Sequence, residues 1–442
     1  QGKHPVEYWS AKQVVALKET QAILFSKYDR SYLVEQDLSD NKTWKVNWFG
    51  RHADAMFLKQ LGSFKKLIDF VDRDRSGQGF KLSPQKKDVP EFRNFNQLSL
   101  STFSRYCQLD FIKDTPPSVY RKGCIPSYTG KRILVKRGIS NTIICRYEEG
   151  NYIFSSAIIG LKTTRKSICS YELFLGVLWS SFAKYFYFNI SSSWGIWHDE
   201  IDLDNELLQL PIVLNEGSLA SKRIVSVVNK LRDYHPQEQD TLHTDGVPKK
   251  EIDAQRRKWE AELDEAVFDL YDFSEERRDL IRDCCEVTLP FFYKPYNSVG
   301  VMPALENGDT SWIQNYADIF TRRWKPYLND DEVMRADVHI GASGNMLAFE
   351  FYPADIGDKW NLTPEDKSWD HILEEIGRAL PKPLGTSQIL LDGVVHAISD
   401  DAIIIIKRNE KRFWTRSLAR EDADSTLCKR MLETMPHNGG VE

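Results

Sequence analysis

Between Lys113 and Tyr147 stand eight lysines and arginines (Lys113, Arg121, Lys122, Lys131, Arg132, Lys136, Arg137 and Arg146) against a single acid, Asp114. So dense a run of one sign calls for an anionic partner, and a nucleic-acid backbone engages many cations at once, releasing a counterion at each contact. A second group follows at Lys162-Thr-Thr-Arg165-Lys166, which adds three cations and two hydroxyl donors. The chemistry expected of Lys131, Arg132, Lys136, Arg137, Arg146, Lys162, Arg165 and Lys166 is contact with phosphates or base edges. Ser140, Asn141, Thr163 and Thr164 are candidates for reading base edges, since an asparagine amide bonds adenine bidentately. Turn chemistry alone also accounts for residues of these types.

Other clusters offer weaker chemistry. Asp72-Arg-Asp74-Arg-Ser76-Gly77 matches the first half of a calcium-binding loop. Position 12 of that loop, where a bidentate Glu belongs, is Ser83, and Arg73 and Arg75 oppose a cation, so the stretch reads as a glycine-rich connector. His198, Asp199, Glu200, Asp202 and Asp204 lack a second histidine at a fixed spacing, and the acids resemble a helix approach. Glu365-Asp366-Lys367 is the only nuclease-like E-x-K triplet, and it follows Pro364 at a helix start. No phosphate-binding glycine loop, H-E-x-x-H or G-x-S-x-G string occurs. Read from its residues alone, the chain is a binding protein.

The elements expected to position the cations are strands. Ile133–Val135 and Thr142–Cys145 flank the Gly138–Asn141 turn, and Tyr152–Phe154 completes a three-stranded meander. Positive side chains at strand ends and turns reach phosphates without being buried. Residues 170–189 form an apolar, aromatic helix interrupted by Glu172 and Lys184. Its rings are able to stack on bases but fit a core better. Upstream, Trp44–Gly50 reads as a strand, Ala53–Leu61 as a helix and Phe64–Val71 as a short helix. Downstream, Ala220–Leu231 is an amphipathic helix, 235–248 a linker, and Lys249–Leu270 a charged helix followed by one capped at Ser274. Helices at Trp312–Trp324 and Trp369–Ala379 accompany strands at Arg335–Ile340, Met346–Tyr352, Ile389–Ile398 and Ala402–Lys407.

The bulk composition agrees. The chain of 442 residues has room for two to four domains. No apolar run reaches the roughly 18 residues that span a bilayer, so a membrane partner is not expected. Seven scattered cysteines without a C-x-x-C pair argue against a disulfide framework or zinc site and fit a cytoplasmic protein. The net charge of −5 conceals an asymmetry: residues 1–235 carry 34 Lys and Arg against 24 Asp and Glu, and residues 236–442 carry 25 against 40. A basic half joined to an acidic half suggests that one holds a polyanion while the other faces protein or solvent. Charge alone does not separate a nucleic-acid surface from a solvated basic face.

The order of particular strings goes further. GKRILVKRGIS, IFSSAIIGLK, ELFLGVLWSSFAKYFYF, SSSWGIWHDEI and ELLQLPI, between Tyr120 and Ile212, resemble in sequence and order the target-recognition region of adenine-specific DNA methyltransferases, the TaqI-like C-terminal specificity domain. WKVNWFGRHADAMFLKQL and GQGF are similar to the connector that precedes this region in large bacterial modification methylases, and ELDEAVFDLYDFSEERRDLI and RFWTRSLAREDADS resemble their tails.

The resemblance implies an α+β fold. Residues 1–95 would be a connector following a catalytic domain, 96–234 a basic, β-rich target-recognition domain with packed helices, 235–300 a linker and helical segment, and 301–442 a second α+β domain. It also implies double-stranded DNA as partner. The family's glycine-rich S-adenosylmethionine loop and N-P-P-Y motif have no counterpart; Asp114-Thr-Pro116-Pro117-Ser118 lacks both the amide that accepts adenine's amino hydrogens and the aromatic that stacks on the base. No catalytic residue, metal or cofactor is therefore expected on this chain. S-adenosylmethionine belongs instead on a catalytic methyltransferase domain, upstream of Gln1 or on a separate subunit. The alternative is a non-methylating scaffold or sensor subunit of a bacterial anti-phage defence complex, bound to other defence-system subunits. RNA binding is a third reading, with a preference for single strands.

Overall fold

The computed structural model describes residues 5–14, 25–82, 87–106, 108–113, 116, 118–139, 142–164, 168–196, 199–239, 245–341, 343–356, 364–365, 369, 372, 374, 394–398 and 402–434. The fold is α+β, helices with several small, mainly antiparallel sheets. Two compact units share the chain: residues 40–46 and 53–274 make one, and residues 1–39, 47–52 and 275–442 the other.

The first of these, the basic unit, is built on a four-stranded antiparallel sheet of β1 (Gly77–Gln78), β2 (Arg132–Lys136), β3 (Cys145–Glu148) and β4 (Ile158–Leu161), in the order β1-β4-β2-β3. The expected meander is corrected on two points. The second strand starts at Cys145, not Thr142. Tyr152–Ile153 leaves the sheet to pair in parallel with Asn96–Gln97, and β4 takes the place beside β2. Every residue of Ile158–Leu161 is buried, so the strand carries no alternation to announce it.

One face of the sheet, with Leu134 and Ile158, packs on Phe80, Phe92, Tyr128 and Phe154. The other meets α1 (Ile168–Trp179): Tyr147 stacks on Tyr171, and the Trp179 indole donates to the Cys145 carbonyl at 2.9 Å. The expected single helix over 170–189 is two helices. Ser180 leaves the helical conformation and its hydroxyl accepts the Ala183 amide, capping α2 (Ser181–Ile190). The sequence shows only continuous apolarity there, because both helices are buried almost all round. The helices α3 (Leu219–Asp233) and α4 (Lys249–Leu270) complete the unit. A Cβ at Gly176 of α1 would lie 2.3 Å from Ile224 Cγ2 on α3, so only glycine permits this approach.

The segment expected as a strand at Trp44–Gly50 belongs to a helix, Asn41–Phe49. Alternating tryptophans and valine suggested period two, but Lys45 and Val46 are buried side by side and Asp40 accepts the Lys42 amide ahead of the first turn. Tertiary contacts override the strand propensity: Lys45 Nζ donates to the Trp194 carbonyl at 2.5 Å, and Trp194 is fully buried. Ala53–Leu61 is helical as expected, within His52–Leu61, whereas Phe64–Val71 yields only a 3-10 turn at Leu67–Phe70.

In the acidic unit, α5 (Glu275–Asp283) and α6 (Ser311–Trp324) precede a five-stranded sheet of β5 (Glu332–Ile340), β6 (Met346–Asp355), β7 (Pro364–Glu365), β8 (Val394–Ile398) and β9 (Ile403–Arg408), which α7 (Arg416–Thr434) follows. The order is β7-β5-β6-β9-β8, with only β7 parallel to its neighbour. Pro364 and Glu365 are thus strand residues and not a helix start. Most of the expected helix Trp369–Ala379 and the first half of Ile389–Ile398 lie outside the described residues. The sheet packs on α6 and α7 through Tyr316, Phe320, Phe349, Phe351 and Trp414.

Within that core Lys407 is fully buried and paired with Asp422, under the rings of Tyr28, Tyr316 and Trp414 at 5.1, 4.8 and 4.8 Å. Burial outweighs the Asp422 charge and brings the Lys407 ammonium down from 10.5 to about 8. Between these values the unfolded chain binds more protons than the folded one, so stability rises with pH, by up to about 1.4 kcal/mol per pH unit. Tyr28 and Tyr316 are held well above their ordinary 10.0, first by burial and next by Asp422, so their stabilising effect is present below pH 10 and is lost as pH climbs towards their folded values. Urea titrations of the acidic unit's transition should therefore show stability rising from about pH 8 to about pH 10 and falling beyond it; a monotonic fall from pH 8 refutes this.

Candidate nucleic-acid interface

Strand β2 is the axis of the basic region. Its register sets Arg132 opposite Glu148, Leu134 opposite Arg146 and Lys136 opposite Ile158, so Arg132, Lys136 and Arg146 share one face. That face is packed, and burial sorts the cations into those that reach solvent and those that do not.

Arg132 is the main correction. It is fully buried; Nη1 donates to the Gly130 carbonyl at 2.5 Å and the Gly150 carbonyl at 2.7 Å, and the guanidinium lies 4.3 Å from the Tyr152 ring centroid. Burial lowers its pKa, opposed by Tyr152 and Glu148. In this position it holds the turns at Gly130 and Gly150 together and does not reach a phosphate.

Arg146 is likewise engaged, with Nε on Glu148 at 2.8 Å and Nη1 on the Ser104 carbonyl at 3.0 Å. Arg137 pairs with Glu200 at 2.8 Å and Lys131 with Glu149 at 3.5 Å, yet both remain partly exposed. Lys136 is partly exposed and has no ion pair among the described residues. Lys162 is 5 % exposed, and burial lowers its pKa, reinforced by Arg75 and Arg132.

The expected base readers fare differently. Ser140, Asn141, Arg165 and Lys166 lie outside the described residues. Thr164 is exposed, but its hydroxyl and amide both donate to the Phe70 carbonyl. The Thr163 amide donates to the Tyr171 hydroxyl at 3.3 Å. These two threonines tie the end of β4 to residues 70–71.

The acids after Trp194 are used inside the protein. Asp199 accepts the Gly195 amide, Glu200 holds Arg137, Asp202 accepts the amides of Asp204 and Asn205, and Asp204 pairs with Arg73 at 2.6 Å. His198 lies outside the described residues, among which no group of three potential metal ligands comes together.

Sequence reasoning passed over Arg75 and Arg105. Arg105 is structural, with Nε on the Ile143 carbonyl at 2.8 Å and Nη2 on Thr142 Oγ1 at 2.8 Å. Arg75 is exposed, has no ion pair among the described residues and lies near Lys162. Its only signal in the sequence was an awkward one, a cation in a loop that otherwise suggested calcium.

Among the described residues no helix is long and apolar enough to cross a membrane. A scan against known protein families finds no match, and a search of curated proteins finds no significant relative.

Proposed function

We propose that the basic unit grips duplex DNA and reads its sequence, as the target-recognition portion of an adenine-specific, S-adenosylmethionine-dependent methyltransferase whose catalytic domain lies upstream or on a partner subunit. The observation that carries the reading is the set of cations left without acids: Lys136 and Arg75 stand without ion pairs among the described residues, in a unit whose basic stretch already exceeds its acids. The resemblance between Tyr120 and Ile212 supports DNA as the polyanion. The packed aromatics of α1 and α2 support a duplex over a single strand, since Phe182, Tyr185 and Phe188 are buried and not displayed for base stacking.

The test is fluorescence anisotropy of the whole chain on labelled duplex DNA across a salt series. Affinity should fall linearly on logarithmic axes, and Lys136→Gln should weaken every sequence together while lowering the salt slope by about 0.9. Incubation with labelled S-adenosylmethionine should transfer no methyl group without the catalytic partner. A flat salt response, or tighter binding to single-stranded RNA, would overturn the proposal.

A further inference from the structure

Residues 72–76, set aside in the sequence as a connector, close over Lys162. The Asp72 amide donates to the Lys162 carbonyl at 2.8 Å, Ser76 Oγ donates to the same carbonyl at 3.4 Å, and the Lys162 amide donates back to Ser76 Oγ at 2.8 Å. This clamp fixes the backbone of Lys162 and places Arg75, one residue from Ser76, beside it. Arg73 is occupied with Asp204 and with the Ser76 carbonyl, which leaves Arg75 as the loop's available cation. Gly130, at φ +66°, also stands near the ammonium: an added Cβ there would lie 3.9 Å from Lys162 Nζ and, its chain neighbours aside, meet nothing else within 4 Å. Glycine at this position leaves the space beside the ammonium that any larger residue's Cβ would begin to fill.

Charge makes the arrangement unusual. Lys162 is 95 % buried and forms no ion pair or side-chain hydrogen bond among the described residues; its cationic neighbours Arg75 and the fixed guanidinium of Arg132 act on it more strongly than Cys124 and Asp72, which oppose them from beyond ion-pair distance. A buried ammonium without an ion-pair partner is costly, and two nearby cations add to the cost. An anion arriving from outside would relieve both.

We propose that Lys162 and Arg75, approached from the Gly130 side, form a seat for one phosphate group. Resting on the duplex-binding reading above, the phosphate is one of the DNA backbone. Arg75 meets it in solvent and Lys162 completes the seat from below, while Arg132 adds charge through Gly130 without contact. A tetrahedral dianion or diester suits this geometry because its oxygens divide between two donors on different elements.

The test uses the full chain with inorganic phosphate and, separately, duplex DNA. In thermal unfolding at constant ionic strength, replacing chloride by phosphate should raise the wild-type midpoint by a few degrees. Arg75→Gln and Lys162→Met should each abolish that rise. Without phosphate, Lys162→Met should melt no lower than wild type, because no internal partner is stranded; a large drop would mean that the ammonium has a structural partner, and would overturn the seat. On duplex DNA, Arg75→Gln should lower the salt slope by about 0.9. If phosphate shifts the midpoint but DNA does not bind, the seat stands for free phosphate and the duplex reading fails. If phosphate has no effect and Arg75→Gln binds DNA with the wild-type slope, the seat is refuted whatever the rest of the surface does.

Discussion

Asp422→Ala should destabilise the acidic unit by about 3–5 kcal/mol, the characteristic cost of removing one partner from a buried ion pair. Asp422 is 1 % exposed, and its carboxylate accepts from Lys407, from the Tyr28 hydroxyl at 2.8 Å and from the Tyr316 hydroxyl at 2.7 Å. Alanine would leave an ammonium with only the Phe413 carbonyl at 3.0 Å, the Tyr316 hydroxyl at 3.3 Å and three aromatic faces. Those rings attract a cation but do not replace a counter-charge, and two phenolic hydroxyls would lose their acceptor in a dry core. The double variant Lys407→Met, Asp422→Leu removes both charges and should recover most of the loss, because apolar groups of similar volume often substitute for a buried pair without cost. Urea unfolding of the three proteins measures both effects. A single variant within 1 kcal/mol of wild type would show that the pair is not desolvated as the geometry indicates.

The contrast between Lys407 and Lys162 explains how much of the site was legible. Nothing in IIIIKR indicates that its lysine is internal, since alternation on β9 would allow it to face either side. Its partner lies 15 residues away on α7, and only the tertiary fold brings Tyr28 and Tyr316 to the same point. Elements whose information is local were readable: Lys249–Leu270 and Trp312–Trp324 as helices, and Met346–Tyr352 by its turn. Elements defined by distant pairing were not. The place of β4 beside β2 depends on contacts that a fully apolar strand does not encode in its period, and the helix at Asn41–Phe49 depends on a lysine reaching Trp194.

The candidate site divides along the same line. Charge density was legible along the chain, because net charge needs no fold to be counted. It could not tell Arg132, buried between two carbonyls, from Lys136, which reaches solvent four residues on along the same strand face. Nor could it join Arg75 to Lys162, which are linked through Ser76, 86 residues before Lys162. The calcium-like spacing reads as a connector, but a connector does not announce that its aspartates and glycines make a tight turn around another strand.

Gly79→Ala should be the most damaging small substitution in the basic unit, costing more than about 4 kcal/mol or preventing folding. An added Cβ would sit 2.0 Å from the Phe154 carbonyl oxygen and 2.5 Å from that of Ser155, and both obstacles are backbone. Neither can withdraw easily, since the Phe80 amide donates to the Phe154 carbonyl and the Gly79 amide to Ile158. The third segment of the crossing is equally tight, because a Cβ on Gly123, at φ +74°, would meet the Gly79 carbonyl carbon at 2.4 Å. Relief therefore requires parting segments that hold β1 against β4, and with β1 goes the clamp of Ser76 on Lys162. Gly138→Ala is the matched control: its added methyl meets nothing within 4 Å, so its effect should remain within about 0.5 kcal/mol. Denaturant midpoints compare the two. If Gly79→Ala folds with wild-type stability the crossing must be looser than drawn, whereas a folded but weakened variant should lose the phosphate-dependent rise in melting temperature, because Arg75 reaches Lys162 only through this junction.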